Sequence, residues 1–94
     1  MSKFLVMWNL DLGRVGPDAV KAVLSMPSYA DRMKKQNKLV HRYHLVGKHG
    51  GAWIYNADSN EDLERCLAQS PVYNLANFDV YPLAEMPEPP AQDA

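Results

Sequence analysis

The sequence predicts a single α+β domain whose elements run β-α-β-β-α-β. Apolar runs near both ends have the length of strands, two stretches carry apolar residues at steps of three and four, and two β-rich runs flank a glycine pair. The chain has 94 residues, which fits one domain. Residues 1–86 are expected to form that domain, and the Pro-rich residues 87–94 a flexible tail.

The N-terminal half contains a strand followed by a helix. The segment KFLVMWN is apolar and mostly free of breakers, which is typical of a buried strand. Pro17 suits the first turn of a helix, and apolar residues then recur at helical spacing as far as Met33. Asn37 is expected to end this helix.

Pro27 falls inside this helical pattern and lacks the N–H that a helix interior needs. We therefore expect an interruption at Met26–Ser28. The helix either kinks there or gives way to a second helix, with Ser28 and Asp31 as its capping pair.

The runs KLVHRYHLVG and AWIYNA are predicted to form a hairpin through KHGG, because glycine accepts the positive φ of tight turns. The sequence leaves the register open. A four-residue loop at Lys48–Gly51 pairs His44 with Tyr55. A three-residue loop instead pairs Tyr43 with Tyr55 and puts His41 on the same face. A slip of one residue exchanges the two faces.

A second helix and a final strand complete the pattern. Ser59, followed three residues later by Asp62, resembles a capping box, and Pro71 ends the helix. The segment FDVYPLAEM is predicted to be the last strand, in which Pro82 indicates an edge, a bulge or a strand end.

This order is the split βαβ arrangement of ferredoxin-like folds, with two helices on one face of a four-stranded antiparallel sheet. Alternation in the third and fourth strands assigns aliphatic side chains to the helix side and leaves Trp53, Tyr55 and Tyr81 on the other face. A large exposed aromatic face is rare on a soluble monomer. We therefore expect a homodimer, or a higher assembly of dimers, in which two sheets enclose a cavity as a dimeric α+β barrel.

Composition argues against several classes of protein. The net charge is −1, and the one dense basic group, at 32–38, falls at a helix end, so we expect no nucleic-acid partner. The chain shows no long apolar run, so we expect no membrane segment. Its single cysteine, Cys66, makes no internal disulfide, which favours a reducing, cytoplasmic location.

The candidate catalytic residues are groups that can move a proton. Histidine titrates near neutral pH, and His41 and His44 lie on opposite faces of one strand, so only one of them can face the cavity. Asp79 is the other candidate base, because desolvation on an aromatic face would raise its pKa. Metal binding is weakly supported, since the histidines lack a second ligand cluster. The candidate substrate-binding residues are Tyr43, Trp53, Tyr55 and Tyr81.

The stretch LVGKHGGAWIYNADSNEDLERCLAQSPVYNLANFDVYPLA resembles the C-terminal half of muconolactone δ-isomerases. Lys38 and His41 also fall where that family has Lys and His. The resemblance covers 38–84 well and the N-terminal half loosely, and it implies a dimeric α+β barrel. It also implies cofactor-free proton transfer on a small unsaturated lactone, in catabolism of aromatics. The matching features are Val46-Gly47 before a basic residue, Ser59-Asn60 before acidic residues, Leu63, Leu67, Pro71, Val80 and Pro82-Leu83-Ala84.

The chain departs from that family in its strands. Leu5 and Met7 stand where the family alternates His and Arg, and Trp53 stands where it has a small residue. Tyr43 and His44 replace its Trp and Arg. Apolar bulk thus replaces polar groups, which extends the expected substrates of this isomerase or cyclase-like enzyme to hydrophobic aromatic or polyketide-derived molecules, as in natural-product biosynthesis. The alternative is a non-catalytic dimeric barrel that binds a small hydrophobic ligand or a partner protein.

Overall fold

A computed structural model describes residues 1–89 and contains one four-stranded antiparallel sheet in the order β2-β3-β1-β4. The predicted α+β fold and its element order are confirmed. Pro82 lies in an edge strand, as expected. Residues 87–89 carry no helix or strand, and the rest of the expected tail lies outside the described residues. The strands are β1 (Ser2–Leu10), β2 (Leu39–His44), β3 (Gly50–Ala57) and β4 (Ala76–Leu83).

The first helical segment is divided into α1 (Ala19–Leu24) and α2 (Met26–Lys35). The expected interruption exists, but it lies at Ser25, just before the predicted range. Pro27 falls in the first turn of α2, where an N–H has no intrahelical partner to lose. The alternative start capped by Ser28 and Asp31 is therefore wrong.

Asn37 ends α2, as predicted. It adopts φ 58°, and its N–H donates to the carbonyl of Lys34 at 3.0 Å. The N–H of Lys38 donates to the carbonyl of Met33 at 2.9 Å. These two bonds form a Schellman motif, which satisfies carbonyl groups at the helix end.

The third helix, α3 (Asn60–Ala68), begins with half of the expected capping box. Ser59 Oγ accepts a hydrogen bond from the N–H of Asp62 at 3.1 Å. The Asp62 carboxylate does not return to Ser59. It accepts from the N–H of Asp58 at 2.9 Å and from Lys38 Nζ at 2.7 Å, so it ties the start of α3 to the chain entering β2.

Trp53 and Tyr55 face the helices, so the prediction that they face away from them is wrong. They pair with Val6 and Phe4 across β1 and are 4% and 2% exposed. The space beneath the helices is the main apolar volume of the domain, and large aromatic rings bury the most surface there. The smaller side chains of β3 take the other face. The core around the two rings includes Phe4, Val6, Tyr29, Met33, Leu39, Leu63, Cys66 and Leu67.

The β2–β3 register matches neither predicted alternative, because His44 pairs with Gly51. The turn lies earlier than expected. Gly47 supplies the positive φ, 82°, and the N–H of Leu45 donates to the carbonyl of Gly50 at 3.1 Å. Gly50 and Gly51 belong to β3 and not to the turn.

The sheet face opposite the helices, here called the open face, carries both apolar and polar side chains. Met7 and Ile54 occupy its two central strands and are partly buried. Asp79 and Tyr81 lie on this face, as predicted, opposite Met7 and Leu5 across the β1–β4 ladder. Tyr81 is 50% exposed. None of the helices within residues 1–89 has the length and apolar character needed to cross a bilayer.

Candidate active site

A cleft of about 410 Å³ opens on the helix side of the sheet, between the start of α2 and the β2–β3 hairpin. Its volume falls within the range of small-molecule sites, about 300–1,000 Å³. Its apolar wall consists of Trp8, Leu10, Val23, Met26, Pro27 and Trp53. The remaining lining residues are Arg42, Tyr43, His44, His49, Gly50 and Gly51.

Trp53 is held in place by an aromatic cluster. Its ring stacks on Tyr29 with centroids 5.9 Å apart and meets Trp8 edge-to-face at 6.3 Å. Tyr55 lies beneath it at 6.1 Å. Such pairs stabilise by about 0.5–1.5 kcal/mol beyond the area they bury, so these contacts favour the observed position of the indole in the wall of the cleft.

Two glycines shape the hairpin side of the cleft. A Cβ on Gly50 would lie 1.9 Å from the carbonyl oxygen of Trp8, so only glycine allows β3 to approach β1 this closely. A Cβ on Gly51 would lie 2.6 Å from Trp53 Nε1. Gly51 pairs with His44, and the position of its missing side chain is taken by the edge of the Trp53 indole.

The polar groups of the cleft are cationic or neutral. The guanidinium carbon of Arg42 lies 6.0 Å from the centroid of the Trp53 ring, a cation–π arrangement. Across residues 1–89 the Arg42 side chain forms no ion pair and donates no hydrogen bond. No Asp or Glu lines the cleft. A bound anion would therefore meet a free guanidinium and two imidazoles.

Trp8 brings one more unpaired donor to this region. Its Nε1 is buried and has no hydrogen-bond acceptor within residues 1–89. A buried N–H without an acceptor is costly, and strain, a catalytic role or a bound water or ion accounts for such groups in native proteins.

The structure divides the predicted site residues between the two faces of the sheet. His44 and Trp53 lie at the cleft, whereas His41, Asp79 and Tyr81 lie on the open face. His41 and His44 are thus on opposite faces, as predicted. Tyr43 borders the cleft, but its ring lies 6.2 Å from that of His41, on the open-face side.

Tyr55 lies in the core, and its hydroxyl is occupied. Tyr29 Oη lies 2.6 Å from the carbonyl of Cys66 and 3.0 Å from Tyr55 Oη. Tyr29 has one proton and gives it to Cys66, so Tyr55 donates to Tyr29. Burial raises the pKa of Tyr29 to about 12 and the pKa of Tyr55 further still, so both phenols stay neutral.

The sequence patterns singled out neither Arg42 nor His49. One signal was available for Arg42: it is two residues before His44 in a strand, so the two share a face. His49 follows the turn, and its place at the cleft depends on the observed register. Within residues 1–89, no three His, Cys, Asp or Glu side chains are grouped to hold a metal ion.

Taken with the sheet topology, this arrangement defines a small ferredoxin-like α+β domain with a lateral cleft of small-molecule size. The model of the Muconolactone delta-isomerase family matches residues 3–89, and the chain belongs to that family.

Individual relatives agree with this assignment. The chain is 28% identical over 60 residues to Muconolactone Delta-isomerase 1 of Acinetobacter lwoffii. The aligned stretch covers 64% of this chain and 62% of that protein. A crystal structure of muconolactone isomerase superposes with a TM-score of 0.78 at 19% identity, covering 97% of both chains. The 5-chloro-2-hydroxyhydroquinone dehydrochlorinase of Burkholderia phenoliruptrix, in complex with 2,5-dihydroxybenzoquinone, superposes with a TM-score of 0.71 at 14% identity, covering 89% and 95%. At these identities the two structures establish the fold alone.

Proposed function

We propose that the protein is a cofactor-free isomerase that moves a proton on a small unsaturated lactone or an aromatic-derived substrate, in catabolism or in a biosynthetic pathway. The observation that carries this proposal is the position of His44 in the lining of the open cleft, whose apolar wall includes Trp53. Membership of the Muconolactone delta-isomerase family supports the reaction class.

In the proposed reaction the imidazole of His44 removes a proton from the γ carbon of an α,β-unsaturated lactone. The electron pair left on that carbon moves through the double bond onto the carbonyl oxygen, which gives a conjugated dienolate. The imidazolium then returns the proton to the α carbon, which shifts the double bond to the β and γ carbons. Histidine suits both steps because its ordinary pKa lies near neutrality.

The cleft supports binding of a small molecule, because the domain leaves about 410 Å³ unfilled by its own side chains. The imidazole of His44 in its lining favours proton transfer over binding alone.

We further propose that the open face is covered by the same face of a second chain. Met7 and Ile54 lie at its centre, and Tyr43 and Tyr81, 60% and 50% exposed, lie on its edge strands. An apolar patch of this kind marks an interaction surface. A homodimer, or a higher assembly of dimers, would bury it.

Two histidine substitutions test the role of His44. With muconolactone in D₂O as the probe, NMR follows both the isomerisation and the incorporation of solvent deuterium. The His44→Gln variant should lower kcat by about 10²–10⁴-fold, the usual contribution of a general base. His41→Gln is the matched control on the other face of the same strand and should retain activity. Full activity of the His44→Gln variant would refute the proposal.

A further inference from the structure

We infer that the cleft selects a planar aromatic acid, with its ring against Trp8 and the exposed edge of Trp53 and its acidic group on the guanidinium of Arg42. This inference rests on the proposed function in one respect, which is that the substrate binds in the same cleft. It narrows the substrate class from lactones and aromatic-derived molecules in general to rings that carry an anionic oxygen.

The wall of the cleft favours a ring over an aliphatic body. Both tryptophans of the chain line it, and they already meet edge-to-face at 6.3 Å. An aromatic ligand can extend this arrangement, because aromatic pairs prefer offset or edge contacts with centroids 4.5–7 Å apart. A saturated ring of the same size fills the space without that electrostatic match. We therefore expect an aromatic ring to bind roughly two- to tenfold more tightly than a saturated ring of the same size.

The polar side of the cleft favours an anion over a neutral group. Arg42 presents a guanidinium with no carboxylate partner within residues 1–89, and His44 and His49 are the other titratable side chains of basic type there. The chain as a whole has net charge −1, so this positive rim is a local feature. The planar fork of arginine matches a carboxylate with two parallel hydrogen bonds.

The two parts of the recognition site are adjacent. The guanidinium carbon of Arg42 lies 6.0 Å from the centre of the Trp53 ring. Because Trp53 is only 4% exposed, a ligand meets the edge of this indole and packs mainly on Trp8, with a substituent within reach of the guanidinium. This 6.0 Å distance between the guanidinium and the indole fits an acid whose carboxylate is attached directly to its ring better than one with a long spacer between them.

Calorimetric titration with three probes tests charge and ring separately. The probes are naphthalene-2-carboxylate, its methyl ester, and decahydronaphthalene-2-carboxylate. We expect the aromatic acid to bind at least about tenfold more tightly than the ester, since hydrogen bonds to charged groups stabilise more than neutral ones. It should also bind more tightly than the saturated acid. Equal affinities for acid and ester, or for the aromatic and saturated acids, would overturn the inference.

The variant Arg42→Gln should remove the preference for acid over ester, and Arg42→Lys should keep part of it. Arg32→Gln is the matched control. It removes the same charge from an arginine that lies 5.7 Å from the ring of Tyr29, outside the cleft. Circular dichroism checks that each variant is folded. If the Arg42→Gln and Arg32→Gln variants lost the preference for acid over ester equally, the effect would be one of general charge. That result would overturn the assignment of the anion site to the cleft.

Binding and turnover separate this inference from the proposed function. Tight, Arg42-dependent binding of naphthalene-2-carboxylate would support the inference even if no substrate of the cleft were isomerised. Rapid isomerisation of muconolactone, together with no preference for the aromatic acid, would support the reaction and overturn the inference.

Discussion

The hydroxyls of Tyr29 and Tyr55 lie 3.0 Å apart in the core, and Tyr29 donates its own proton to the carbonyl of Cys66 at 2.6 Å. Cys66 lies in the last turn of α3, where backbone carbonyls lack intrahelical partners. The Tyr29 hydroxyl thus links α2 to the end of α3 and receives the proton of Tyr55. This pair is part of the scaffold behind the cleft.

Removing these hydroxyls should have unequal effects. Tyr29→Phe leaves both the Cys66 carbonyl and the Tyr55 hydroxyl without a partner, and should lower the free energy of unfolding by about 2–3 kcal/mol. Tyr55→Phe leaves the Tyr29–Cys66 bond intact, and should cost about 1 kcal/mol. Urea unfolding measures both. A larger loss for Tyr55→Phe would contradict the assigned direction of the two hydrogen bonds.

The Lys38–Asp62 pair should make stability depend on acid pH. The hydrogen bond from Lys38, with that from the Asp58 N–H, holds the pKa of Asp62 below its usual 3.8. The pair therefore stabilises the fold above pH 3.8, and this contribution is lost as pH falls through the lower folded-state pKa. Asp62 in turn raises the pKa of Lys38 above 10.5, so at the alkaline end the contribution is lost only above that pH.

Urea unfolding between pH 2 and pH 7 checks the acid side. The stability difference between the natural chain and the Asp62→Asn variant should be largest near neutral pH and shrink towards pH 2. Asp31→Asn is the matched control, because Asp31 pairs with Lys35 at 3.0 Å on the exposed surface of α2. Exposed pairs of this kind contribute little. A pH-independent loss in Asp62→Asn would show that the lost contact is not electrostatic.

Three glycine-to-alanine variants should differ in stability for different reasons. Gly50→Ala places a Cβ 1.9 Å from the Trp8 carbonyl oxygen, and should cost about 3 kcal/mol, the upper range for overpacking. Gly47→Ala meets no atom within 4 Å but has φ 82°, so it should cost about 1–2 kcal/mol. Gly16→Ala meets neither problem and should change stability by less than about 1 kcal/mol. Thermal unfolding ranks the three, and a neutral Gly50→Ala would contradict the close approach of β1 and β3.

The proposed dimer predicts a charge-sensitive open face. Light scattering at micromolar concentration should give at least twice the mass of the chain. Met7→Glu places a carboxylate at the centre of that face and should yield monomers, because an unpaired buried charge is strongly unfavourable. Val46→Glu makes a similar change at a residue that is 98% exposed in the hairpin turn, and should leave the mass unchanged. A monomeric natural chain would refute the proposal.

The sequence by itself determined the features that depend on neighbours along the chain. The order of strands and helices, the stop at Asn37 and the cap at Ser59 all follow from local backbone geometry and nearby hydrogen bonds. Pro27 likewise predicted a break in the first helix. The break itself lies at Ser25, because α2 begins at Met26 and has Pro27 in its first turn. Asp79 and Tyr81 do lie together on the open face, because alternation groups them and their neighbours Phe78 and Val80 are the pair that takes the helix side.

Only the tertiary structure decided which face of β3 is buried and where the hairpin turns. Alternation divides Ala52 and Ile54 from Trp53 and Tyr55, but it does not say which pair faces the helices. Trp53 and Tyr55 face the helices because the space beneath the helices is large enough to hold their rings. The register depended on the contact between Gly50 and the backbone of Trp8, residues far apart in the chain. The cleft joins residues from β1, the hairpin and both helical segments before β2, so its composition follows from packing and not from any one segment.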